Sequence, residues 1–207
     1  MSSSQKRNLA ASVRQRLLSL SRQWAEPFDL ILVRYGIERL LYRLSQSPYV
    51  DRFLLKGAML FVIWSNETHR PTCDIDLLGF GTSDSNELER IFRHLCEKAV
   101  EPDGLRFNPQ TVRAQPIREQ SGYAGIRVTM EAVLENTRIP IQVDIGFGDA
   151  VTPAPEEVAF PVLLEFPEPH VRAYPVYTVI AEKLEATAKS QSEPSKRQVS
   201  SFIEPSV

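Results

Sequence analysis

The chain is poor in the residues that build cross-links and metal clusters. It has two cysteines, Cys73 and Cys96, and three histidines in 207 residues. Two cysteines are too few for a disulfide framework or a zinc site of the usual kind. Cys73 is expected to be a plain buried thiol. His69, His94 and His170 are not spaced as a ligand set or a catalytic pair. There is no G-x-S-x-G, no Walker A and no Rossmann fingerprint, so three large enzyme classes lack their signatures here. Long apolar runs are absent too. The longest, residues 58–64, is far too short to span a bilayer. The first residues are polar and no apolar segment follows, so the expectation is a cytoplasmic protein without signal peptide or membrane partner. With a net charge of −2 there is no global excess of one sign to recruit nucleic acid or membrane. No internal repeat is visible.

What the chain does have is a sufficient core. Its 43% of hydrophobic residues and its length suit one domain or one and a half. Charge is unevenly placed. Residues 1–56 hold ten Lys/Arg against four acids, which leaves the remainder strongly acidic. This is a mild hint of an anionic partner.

The spacing predicts an amphipathic helix over 9–24, broken at Ala25-Glu26-Pro27, and a second from Phe28 to about Ser45. Arg34, Arg39 and Arg43 lie on the second, either as a solvated face or as a phosphate-facing strip. Residues 52–55 read as a short buried strand, Lys56-Gly57 as a turn and 58–64 as a helix. Residues 73–80 form the next strand, and Thr82 to Ser85 resemble the N-cap of a helix over 85–100. From Leu105 the period becomes two. Short strands are expected at 105–107 and 112–114, then a strand over 123–134 after a turn at Gln120-Ser121-Gly122. Residues 138–147 alternate most clearly, with Ile139, Ile141, Val143, Ile145 and Phe147 on one face and Gln142, Asp144 and Gly146 on the other. Residues 151–172 read as an irregular connection. Pro175 opens a late helix, and residues 190–207 read as a disordered tail. The resulting division is an N-terminal helical segment (1–48), a core (49–150), a connection with a late helix (151–189) and the tail.

Chemistry concentrates around Asp74-Ile75-Asp76. On a strand, residues i and i+2 share a face, so the two carboxylates stand roughly 6.5–7 Å apart at their Cα atoms. Like charges so close repel unless a cation lies between them, and a divalent cation with oxygen ligands answers this. Asp144 interrupts a second apolar strand and is the third carboxylate. Three carboxylates on adjacent strands can hold two Mg²⁺ ions, one activating an attacking hydroxyl and one neutralising a triphosphate. Asp149 lies close by in sequence but past Gly148, and ranks lower. Lys56-Gly57 at the strand-to-helix turn offers a point charge and a close backbone approach to phosphate. Arg70 and Thr72 precede the aspartates and could reach phosphate oxygens. Lys183, in Ala-Glu-Lys-Leu on the late helix, is either a charge on a solvated face or a lysine reaching the triphosphate to offset transition-state charge.

Together, Leu55-Lys56-Gly57-Ala58, Arg70 to Asp76, Gln142 to Asp149 and Pro175 to Ala186 resemble the nucleotidyltransferase toxins of the AbiEii/AbiGii type, within the DNA polymerase beta-like nucleotidyltransferase superfamily. The resemblance implies an α/β (α+β) fold, with a mixed sheet flanked by helices and an N-terminal helical pair. It implies Mg²⁺-dependent transfer of a nucleoside monophosphate from an NTP to an acceptor hydroxyl. In relatives the acceptor can be the 3′ end of tRNA, and a cognate antitoxin is usually encoded alongside. Two departures stand out. Ala58 replaces a frequent second glycine, and Ser195-Lys196-Arg197 leads into a polar tail where relatives carry an Arg-x-Lys-Asp segment. The chain is therefore expected to be truncated at its C-terminus. That leaves two alternatives: an impaired remnant that only binds nucleotide or antitoxin, and a protein-modifying nucleotidyltransferase.

Overall fold

The computed structural model describes residues 3–65, 73–118, 124–148 and 154–175. The expected turn at 120–122, the late helix after Pro175 and the tail lie outside the described residues. Helices α1 (Ser3–Trp24) and α2 (Phe28–Ser45) come first, parted at Pro27 as the sequence requires. A 3-10 turn at Val50–Arg52 leads into β1 (Phe53–Lys56). Then follow α3 (Met59–Ser65), β2 (Asp74–Gly79) and α4 (Ser85–Glu97). Asp84 caps α4, its side chain accepting from the Asn86 N–H at 2.9 Å. The strands β3 (Leu105–Arg118), β4 (Ala124–Leu134) and β5 (Thr137–Phe147) form a meander, and β6 (Glu156–Ala159) and β7 (His170–Ala173) are the last strands among the described residues.

The seven strands form one mixed sheet in the order β3-β4-β5-β2-β1-β7-β6. Parallel pairing occurs at β2–β5 and β1–β7. The architecture is thus α+β, with one sheet and flanking helices, as the sequence suggests. Alternation along β5 explains its two faces. Ile139, Ile141, Val143 and Ile145 are buried, while Gln142 and Asp144 are only half-buried. Helix α2 packs on the buried face, and α4 packs over β3 and β4. The approach of α2 is close. A Cβ on Gly36 would meet Ile141 Cδ1 at 2.5 Å. Phe53 of β1 meets Phe92 of α4 edge-on, with ring centroids 5.9 Å apart.

Several expectations need correction. The two short strands at 105–107 and 112–114 are one 14-residue strand, irregular between Asn108 and Arg113. Its Pro109 and Pro116 are tolerated because β3 is an edge strand. The connection at 151–172 contains β6 and most of β7, so it is not irregular throughout. Cys73 is exposed rather than buried, because it precedes β2 instead of lying within it.

Arg39 and Arg43 belong neither to a solvated face nor to a phosphate strip. Both are buried. Arg39 Nε lies 2.8 Å from Glu38 Oε1, and its Nη2 donates to the Pro167 carbonyl at 2.8 Å. Arg43 forks onto Asp103, with Nη1–Oδ2 at 2.7 Å and Nη2–Oδ1 at 3.3 Å. Asp103 in turn accepts from the Leu105 N–H, so this buried cluster fixes where β3 begins. Arg34 is partly buried and paired with Glu26 at 2.8 Å. None of the helices in the described residues is long and apolar enough to cross a membrane.

A candidate active site on the open sheet face

Each sheet face can be read row by row from the pairing. One row crosses five strands. Gln115 pairs with Arg127, Arg127 with Asp144, Asp144 with Asp76, and Asp76 with Lys56. Directly paired residues point the same way, so this row carries plus, minus, minus, plus on one face. The next row runs Arg113, Thr129, Gln142, Asp74. The three carboxylates foreseen from the sequence therefore emerge on one face. Asp76 and Asp144 are direct cross-strand neighbours, with Cα atoms about 4.8 Å apart from the strand spacing. Ile75 and Leu77 point to the opposite, buried side, and their burial fixes the register of the aspartates.

The turn after β1 is shaped around Asp76. Gly57 has φ +73, a conformation in which only glycine is unstrained. A Cβ there would lie 2.1 Å from Asp76 Oδ2 and 2.8 Å from its Cγ. The carboxylate thus rests against bare backbone. Lys56, the last residue of β1, sends its ammonium across β2. A Cβ on Gly146 would lie 3.1 Å from Lys56 Nζ. Gly146 faces Gly125 on β4, so on that side of the charged row these two strands raise no side chain, while Thr129 and Gln142 flank it on the other.

Arg127 was not anticipated. Its Nε donates to Asp144 Oδ1 at 2.8 Å and its Nη2 to Oδ2 at 2.7 Å. These hydrogen bonds raise the guanidinium further above its ordinary range, with the charges of Asp144 and Asp74 adding to the effect. No motif marks an arginine on a cross-strand neighbour. The signal available was the alternation of residues 124–134, which puts Arg127 on the exposed face. Of the other expected site residues, Arg70, Thr72 and Lys183 lie outside the described residues, as does Asp149.

The donor set suits a hard divalent cation by kind, since it consists of carboxylate oxygens on one face. As the side chains stand, no three acidic, His or Cys groups among the described residues converge on a metal position. Both oxygens of Asp144 are turned to Arg127.

The family model described as "Nucleotidyl transferase AbiEii toxin, Type IV TA system" matches residues 39–199. Among solved structures, the chain is similar to a crystal structure described as that of a candidate nucleotidyltransferase from H. pylori. The identity is 17%, the match covers 70% of this chain and 53% of that one, and the TM-score is 0.41. It is similar also to JHP933 from Helicobacter pylori, at 15% identity, 70% and 52% coverage and a TM-score of 0.39. The chain spans about half the length of these two proteins. Comparison with curated proteins gave no match.

Proposed function

The chain belongs to the AbiEii nucleotidyltransferase toxin family, and from that premise we propose that it transfers a nucleoside monophosphate from an NTP to an acceptor hydroxyl. The observation that carries this reading is the row Lys56, Asp76, Asp144 beside the Gly57 turn. Asp74, Asp76 and Asp144 are the residues that would hold Mg²⁺. The cation supplies charge neutralisation at the triphosphate and a more acidic acceptor hydroxyl. The protein's own part is placement. Asp76 is held by contact with Gly57, and Lys56 reaches over Gly146 to meet phosphate oxygens. Arg70, Thr72 and Lys183 complete the proposal from the sequence, with Lys183 offsetting charge on the transferred group.

We assign the acceptor to nucleic acid, with a tRNA 3′ end as the leading substrate. The support is the open face itself. Arg106, Arg113 and Arg138 are exposed there, on the strands that lead to the carboxylates. Away from the site only Glu131 opposes them on β3 to β5. In a chain of net charge −2 this is a local concentration of cations suited to a phosphate backbone. Arg39 and Arg43 of α2, by contrast, are engaged inside the fold. Action in the cytoplasm and control by a cognate antitoxin complete the reading.

The test is direct. The purified chain is incubated with Mg²⁺, each labelled NTP and total tRNA. Label on tRNA that is lost in Asp76→Ala is the expected result. NTP binding without label on any acceptor would instead select the impaired remnant, and label on protein the protein-modifying reading.

A further inference from the structure

The feature that the proposed function leaves unused is the fork between Arg127 and Asp144. Both carboxylate oxygens are engaged, at 2.8 and 2.7 Å. The pair is half-open to solvent, with the side chains 44% and 20% exposed. The fork is bidentate and adds to the β4–β5 pairing, but at such exposure that contribution is modest and does not explain why the partner is a site carboxylate. Its placement does explain it. Asp144 is the direct neighbour of Asp76, and Asp74 lies one row away on the same face. Three carboxylates so arranged repel each other without a cation. Arg127, one strand further along the same row, supplies positive charge from within the chain.

We propose that Arg127 is an internal counter-ion that a divalent cation displaces from Asp144. The inference rests on the nucleotidyltransferase reading. A planar guanidinium and a metal ion compete for the same two oxygens, so the carboxylate cannot serve both fully. Displaced, Arg127 stays anchored on the site face and becomes available to phosphate, for which its fork is equally suited. Nucleotide phosphates would then stabilise the displaced arginine, and cation and nucleotide would each tighten the binding of the other. Such coupling is reciprocal by thermodynamic necessity. Arg127 is in these terms a positioning residue, acting on the cation through Asp144.

The experiment measures Mn²⁺ binding to the full chain by calorimetry, with and without α,β-methylene NTP analogues. Without nucleotide, Arg127→Ala is expected to bind Mn²⁺ about 5- to 150-fold more tightly than the wild type, the usual span of such couplings. Arg127→Gln, which keeps polarity and bulk, should do the same. Nucleotide should tighten Mn²⁺ binding in the wild type by a larger factor than in either variant. Adding Asp144→Asn to Arg127→Ala should abolish the gain. The Nε–H resonance of Arg127 should shift when Mn²⁺ is replaced by diamagnetic Mg²⁺ and nucleotide is added. Mn²⁺ affinity in both Arg127 variants equal to or below that of the wild type overturns the inference, as does binding to none of the proteins. A wild type that labels tRNA while its Arg127 variants gain no Mn²⁺ affinity would leave the transferase reading standing and remove this inference alone.

Discussion

Gly57 and Asp76 are in contact through the absence of a side chain, since a Cβ on the glycine would fall 2.1 Å from the carboxylate Oδ2. The φ of +73 adds a second demand on the same position. Gly57→Ala is therefore expected to cost stability, roughly 1–2 kcal/mol for the left-handed backbone, and also to push Asp76 out of place. A displacement of about 1 Å can cost on the order of 10²-fold in rate. Thermal denaturation and the labelled-transfer assay check the two effects separately. Gly148→Ala is the control. Gly148 has φ +99 but, among the described residues, nothing within 4 Å of its would-be Cβ, so strain is expected without the loss of transfer.

Asp76→Asn and Asp74→Asn should separate activity from stability. Each removes a negative charge from a crowded face, so the melting temperature is expected to hold or rise slightly. Transfer should fall by roughly 10²- to 10³-fold, as for loss of a group that acts on developing charge. A melting temperature that drops by many degrees in both variants would make these carboxylates structural.

Burial pushes the Glu38 carboxyl up to about 7 from an ordinary 4.5, against the opposing pull of Arg39 and the Leu163 N–H. The folded state thus binds this proton more tightly than the unfolded chain. The stability it lends is fully present below 4.5 and is lost as pH rises through 7. The urea midpoint of the wild type should fall between pH 5 and pH 8, and Glu38→Gln should flatten that part of the profile.

Arg43→Ala should be among the most damaging changes outside the site. It leaves Asp103 buried and without the fork that neutralises it, at a typical cost of about 3–5 kcal/mol. Breaking the exposed Arg93–Glu89 pair on α4 by Arg93→Ala should cost no more than about 0.5 kcal/mol. Urea titration of both variants gives the comparison.

The parts of the fold readable from sequence are those where one face is buried continuously. β5 is legible because Ile139 to Ile145 alternate without interruption, and β2 because Ile75 and Leu77 flank Asp76. The carboxylates stand out for the same reason, as polar residues at fixed places in an apolar pattern. The unity of β3 was hidden by Pro109 and Pro116, which read as breaks unless the strand is known to lie at an edge. β6 and β7 have four residues each, too few for a period to emerge. The roles of Arg39, Arg43 and Arg127 were illegible, since an arginine has the same identity in water, in a buried cluster or on a carboxylate. What decides among these is the partner: Asp103 lies 60 residues from Arg43, and Asp144 meets Arg127 only through the register of β4 against β5.

The position of β2 between β5 and β1 has a consequence for synthesis. Asp76 leaves the ribosome well before Asp144, and α4, β3 and β4 are made in between. Their parallel pairing is non-local and closes late, because loop-closure entropy must be met before the contacts form. A nascent chain that has emerged only as far as β4 can carry the Gly57 turn and Asp76, yet it has no second carboxylate strand to pair with them. The cradle is therefore assembled in one step, when β5 joins β4 on one side and β2 on the other.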